Sequence, residues 1–139
     1  MKKETKKRIG RQEFLNIQIN LVFMTKYRHK AFNKEILDDL RNIFDYICAD
    51  FDTKLISFYG EEDYVHLLIS YPPKLPITKL VSCLRRVSSR IIKKRKYPSI
   101  QQRLWAGAIW MPSYFIGRCS ESSTCTVQQY IEKQKNIIS

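Results

Sequence analysis

Tyr130 and Gln134 stand four residues apart in Val127-Gln128-Gln129-Tyr130-Ile131-Glu132-Lys133-Gln134. On a helix that spacing puts the phenol and the amide one turn apart on the same face. Far upstream, Asp63-Tyr64-Val65-His66-Leu67-Leu68-Ile69-Ser70 reads as a strand, and the period of two sets Tyr64 and His66 side by side. A phenol oxygen can act as a nucleophile. A neutral imidazole is the commonest metal ligand. With an amide oxygen, these are the groups needed to break a phosphodiester beside a divalent metal. A two-histidine site would carry a second imidazole where this chain has Tyr64.

Each of these residues also has a plainer reading. His66 is one of two histidines, and a lone strand histidine is as a rule a hydrogen-bonded structural residue. The other, His29, lies in the basic turn Lys26-Tyr27-Arg28-His29-Lys30 and reads as surface. Tyr130 alone would be a buried aromatic and Gln134 alone a surface amide. Their pairing is what suggests chemistry.

The elements that must position them can be read from the patterning. Residues 1–12 form a basic arm, and residues 13–139 read as one domain. Residues 14–27 predict a first strand, with Ile17, Ile19, Leu21 and Phe23 alternating. Asn33 offers an N-cap. Ile36, Leu37, Leu40, Ile43, Phe44, Ile47, Cys48 and Phe51 then recur at helical spacing. Residues 54–59 and 64–71 form a hairpin around Gly60-Glu61-Glu62-Asp63. Pro76 opens a second helix to about residue 95, whose stripe is Ile77, Leu80, Val81, Leu84, Val87 and Ile91. Residues 107–116 predict a fourth strand, interrupted near Pro112 because proline cannot donate a ladder bond. Thr126 and Gln129 form a capping box for a last helix. The order β-α-β-β-α-β-α predicts an α+β fold: a ferredoxin-like antiparallel sheet with packed helices, plus an extra C-terminal helix carrying Tyr130.

Composition narrows the function classes. A length of 139 residues at 44% hydrophobic content supports one domain with a real core and argues against disorder. No apolar run approaches the roughly 18 residues of a spanning helix, and no signal core follows the basic start, so a cytoplasmic protein is expected. Cys48, Cys83, Cys119 and Cys125 form no close pair, which argues against a zinc ribbon. Lysine and arginine total 25 against 13 acids, a net charge of +12. Such a field attracts polyanions, nucleic acid first among them. An anionic membrane surface is the rival, but no basic helix here presents a bulky exposed apolar face. On the second helix Lys79, Arg86, Arg90 and Lys93 fall away from the apolar stripe, a row suited to backbone phosphates. The plain alternative is a solvated helix face.

The chain resembles the single-tyrosine HUH transposases of the insertion-sequence-200/605 family. The matching stretches are Asn20-Leu21-Val22-Phe23-Met24-Thr25-Lys26-Tyr27-Arg28, Gly60-Glu61-Glu62-Asp63-Tyr64-Val65-His66-Leu67-Leu68, Leu80-Val81, Val87-Ser88-Ser89-Arg90, Leu104-Trp105 through Pro112-Ser113-Tyr114-Phe115, and Gln129-Tyr130-Ile131-Glu132-Lys133-Gln134. The resemblance implies cleavage and rejoining of single-stranded DNA hairpins through a 5′-phosphotyrosine. It makes Tyr130 the nucleophile and assigns one Mg2+ or Mn2+ to His66 and Gln134, with Tyr64 in the place of the first histidine. It also implies a homodimer in which the tyrosine helix of one subunit completes the site of the other. The chain departs from the pattern at Tyr64, since a neutral phenol is a poor ligand for a hard cation. It departs again at Arg118-Cys119-Ser120-Glu121-Ser122-Ser123-Thr124, where the family has a glycine-rich stretch. Two other readings stay open: a DNA-hairpin-binding relative with weakened or lost chemistry, and an RNA-binding module of the same topology. Phe58, Tyr59 and Tyr71 do not form the aromatic motif the RNA reading requires.

Overall fold

The computed structural model describes residues 16–118, 127 and 129–132. The basic arm, Cys119, Cys125, Thr126 and Gln134 lie outside the described residues. Four strands, β1 (Ile17–Met24), β2 (Lys54–Gly60), β3 (Tyr64–Tyr71) and β4 (Phe115–Arg118), form one antiparallel sheet in the order β2-β3-β1-β4. Helix α1 (Lys34–Asp50) connects β1 to β2; α2 (Ile77–Lys94) and the short α3 (Pro98–Arg103) connect β3 to β4.

Strand β1 is central, apolar along one face and apolar over its last turn of pleat, at Val22 and Met24, on the other. Ile19, Leu21 and Phe23 point into the main core with Val65, Leu67 and Ile69 of β3, beneath α1 and α2. The ring of Phe23 meets Phe44 at 6.1 Å, Trp110 at 5.7 Å and Tyr114 at 6.0 Å between centroids. Val22 and Met24 point the other way, where Val127 and Ile131 of the C-terminal helical segment cover them. The helices before residue 118 and the tyrosine-bearing segment therefore lie on opposite faces of the sheet.

The first helix starts as its sequence predicts: Asn33 Oδ1 accepts the Ile36 N–H at 2.9 Å. The hairpin falls at its expected place. Four features differ from the sequence reading. Strand β1 ends at Met24, because Thr25 makes only an isolated bridge to Trp110 and the chain then turns through a tight helical turn at Lys26–Arg28. The fourth strand is interrupted as Pro112 predicts, but its regular part is Phe115–Arg118 rather than residues 107–116. The Met111 N–H still donates to Met24 O at 2.7 Å, but regular pairing resumes only at Phe115, past the proline that has no N–H to offer. Helix α3 went unforeseen, although Pro98 in its first turn and the buried Ile100 and Leu104 were its signals. Finally, α2 buries Ser88, Ser89 and Ile92, while Ile77, Val87 and Ile91 are only half-buried. The serines are there as acceptors. Trp110 Nε1–H donates to Ser88 Oγ at 2.9 Å, and the Ile109 N–H donates to Ser89 Oγ at 3.0 Å. They satisfy two buried donors in the irregular stretch before β4.

Cys48 and Cys83 are both free; burial pushes the Cys48 thiol up to about 11, so it is inert at neutral pH. No helix among the described residues is long and apolar enough to cross a membrane.

Candidate active site and basic groove

Register fixes the strand pair. Tyr64 lies opposite Met24 and His66 opposite Val22, so both share the face that the C-terminal segment covers. On the far side of β3, Tyr59 lies opposite His66, and its ring sits 6.4 Å from that of Tyr64. Tyr59 alone of the three aromatics weighed for RNA binding is well exposed; Phe58 and Tyr71 pack against the main core.

His66 is half-buried, and burial lowers its pKa, which leaves the ring neutral at pH 7. Its Nε2 is 2.7 Å from Asn20 Oδ1. With Oδ1 as the facing atom, this contact selects the tautomer protonated at Nε2. Asn20 was not singled out from the sequence. An amide in the middle of a largely apolar strand was the signal. Tyr64 is pushed up to about 12, first by burial and then by Tyr59, Glu61 and Asp63, with Arg28 opposing. Its phenol therefore holds its proton across the neutral range. Among the described residues no group of three or more His, Cys, Asp or Glu side chains could hold a metal ion. A single imidazole with an engaged Nε2 and a protonated phenol do not fit a hard divalent cation.

Tyr130 is helical, as its sequence predicts, and its ring packs 5.3 Å from that of Phe115. Tyr64, Met111, Phe115 and Tyr130 surround the same small apolar cluster. The Tyr130 hydroxyl is buried; Ser113 is near enough to ease its ionisation, but no described group makes a hydrogen bond of full geometry to it. Burial raises its pKa, and Ser113, Arg28 and Arg85 oppose that rise. The two guanidiniums thus offset only part of the burial that holds this phenol protonated.

Arg85 comes from α2, on the opposite side of the sheet. It donates to the Met111 carbonyl, and its guanidinium lies 5.0 Å from the Tyr114 ring centre. It reaches Met111 where the fourth strand is interrupted. The same side chain lines a groove of about 610 Å³ together with Arg86, Arg90, Lys93, Trp110 and Tyr114. Lys93 Nζ donates to the Gly107 carbonyl across this groove. Three of the four residues in the expected basic row therefore converge. Lys79 is exposed on the same helix but does not line the groove. Gln134 lies outside the described residues.

The family described as "Transposase IS200 like" matches residues 13–134. The ISDra2 transposase TnpA of Deinococcus radiodurans is 35% identical over 125 residues, which are 90% of this chain and 89% of that protein. The chain belongs to the IS200-like transposase family. A second IS200-like transposase, that of insertion sequence element IS200 from Salmonella typhimurium, is 23% identical over 119 residues, 86% of this chain and 77% of its own length. A Deinococcus radiodurans protein of known crystal structure superposes with a TM-score of 0.76 at 34% identity, covering 86% of this chain and 91% of that one. The four-stranded antiparallel sheet and its packed helices are thus the architecture of IS200-like transposases as well as of this chain.

Proposed function

We propose that this transposase cleaves and rejoins single-stranded DNA at insertion-sequence ends through a 5′-phosphotyrosine on Tyr130, at a rate held down by Tyr64. The observation that carries the reading is the placement of Tyr130 over the sheet face that holds Tyr64 and His66. The Tyr130 oxygen loses its proton and attacks the scissile phosphorus; the bond to the 3′-oxygen breaks, and that oxygen leaves as a hydroxyl. The phosphotyrosine conserves the bond, so another 3′-hydroxyl can reseal the strand. The Arg28 and Arg85 charges favour the phenolate. In this reading the fold is ferredoxin-like with an added tyrosine helix. Mg2+ or Mn2+ would be held only weakly by His66, Gln134 and Tyr64, because the described donors do not fit it. A DNA-hairpin-binding relative with weakened chemistry is the second reading, favoured by the protonated phenol of Tyr64.

Arg86, Arg90 and Lys93 would hold the DNA backbone in the basic groove. Labelled hairpin oligonucleotides titrated at two salt concentrations test this. Affinity should fall steeply with salt, and Arg86→Ala or Arg90→Ala should each reduce the log–log slope by about one. Salt-independent affinity would rule out the groove.

The reading includes a two-fold dimer with shared active sites. In the single chain the Tyr130 segment packs on its own sheet, so sharing requires exchange of that segment between copies. Light scattering should report twice 16.6 kDa. A stable monomer that cleaves DNA would refute the sharing.

A further inference from the structure

Arg28 contributes only its charge to the proposed reaction, yet its side chain is 9% exposed and each of its three guanidinium nitrogens is engaged. Its Nε donates to Asp63 Oδ2 at 2.9 Å, and its Nη2 meets the same oxygen at 2.8 Å. Its Nη1 donates to the backbone carbonyl of Ile131 at 2.8 Å. One planar group thus ties the turn after β1 to the residue before Tyr64 and to the residue after Tyr130. A lysine could not reproduce the arrangement, because it lacks the rigid fork of donors.

The backbone is bent to deliver this fork. Tyr27 and Arg28 stand at φ 57° and 54°, successive left-handed conformations without a glycine. Such conformations persist only where the surroundings over-determine them, and they concentrate where function needs the geometry. Here Thr25 sets the turn. Its Oγ1–H donates to His29 O at 2.7 Å, its N–H donates to Asp63 O at 2.9 Å, and the Arg28 N–H donates back to Thr25 O at 2.9 Å. Asp63 therefore receives the turn through its carbonyl and the guanidinium through its carboxylate.

We infer that Arg28 is a positioning residue: with Asp63 it fixes the Tyr130-bearing helical segment over the strand that carries Tyr64 and His66. The charge alone does not suffice; the fork does the holding. As a statement about cleavage, this rests on Tyr130 being the nucleophile. As a statement about docking, it does not.

Two variants separate the side chain from the strained backbone. Arg28→Lys keeps the charge and loses the fork. Arg28→Gly loses the side chain while a glycine accepts φ near 54° without strain, so the turn keeps its path. Hydrogen exchange on the full-length protein is followed at the amides of residues 129–132 and of β1 and β3. Both variants should exchange at least about tenfold faster in the tyrosine segment, with the strands unchanged. Adduct formation at saturating hairpin should fall about tenfold while hairpin affinity is retained, since a displaced nucleophile costs rate rather than binding. Unchanged protection of residues 129–132 in both variants would overturn the inference. So would protection lost equally from β1 and β3 in both, because Arg28 would then be holding the turn and not the helix. If the parent protein forms no adduct, the nucleophile assignment fails, and the exchange measurement still decides the positioning role.

Discussion

Tyr64→His should raise Mn2+-dependent cleavage of a labelled hairpin by at least about tenfold, the scale on which single changes at metal sites act. The strand is already in register for it, with position 64 opposite Met24 and two residues from His66 on the same face. The present side chain is the obstacle. A phenol pushed up to about 12 offers a hard cation only a protonated oxygen, whereas a neutral imidazole offers a lone pair. The sign of the pH dependence follows from the same neighbours. Glu61 and Asp63 would favour the imidazolium at position 64, and metal needs the neutral ring. The gain should therefore be larger at about pH 8 than at about pH 6. The measurement is a time course on a denaturing gel with Mn2+. If the unaltered protein matches the Tyr64→His form, Tyr64 is either a competent ligand or a bystander, and the proposed handicap does not exist.

Tyr130→Phe should abolish the covalent protein–DNA species, in the natural chain and in the Tyr64→His background alike, because no attacking oxygen remains. It should also make the protein more stable. The hydroxyl is buried, its contact with Ser113 falls short of full hydrogen-bond geometry, and a desolvated hydroxyl left unpaired costs about 1 kcal/mol or more. Removing it keeps the ring against Phe115, so the melting temperature should rise by roughly 3–5 °C per kcal/mol gained for a domain of this size. Thermal unfolding and the adduct gel read the two effects separately. Persistence of the adduct would refute the nucleophile assignment; a fall in melting temperature would show that the hydroxyl has a partner after all.

The sequence carried the local part of this picture. Asn33 announces the start of α1 through its side-chain oxygen, and the period of two places Tyr64 beside His66 without any tertiary information. The proline at 112 foretells an interruption of the last strand. What it cannot foretell is where pairing resumes, since that depends on which residues find β1. The buried serines of α2 were hidden by their polarity. Ser88 and Ser89 are core positions only because Trp110 and the Ile109 N–H need acceptors there, a demand set by a segment some twenty residues away. Arg28 read as one cation in a basic turn. Its role comes from a carboxylate 35 residues on and a carbonyl 103 residues on, and no local pattern encodes such separations. The left-handed pair Tyr27 and Arg28 gave no sign either, because the usual mark of that conformation is glycine.

Val22 and Met24 of β1 are apolar and fully buried, and Val127 and Ile131 are among the residues that cover them. Were this chain to lose all chemistry, it could not shed its C-terminal segment without laying those side chains open to water and to other chains. Solubility alone would preserve the segment, and with it a tyrosine at position 130 as packing. In a decayed copy, then, an intact terminal helix reports only that the protein still folds cleanly. Position 64 only flanks that apolar cluster, so a metal donor can be lost there while the packing persists, and the history of use is written on the strand.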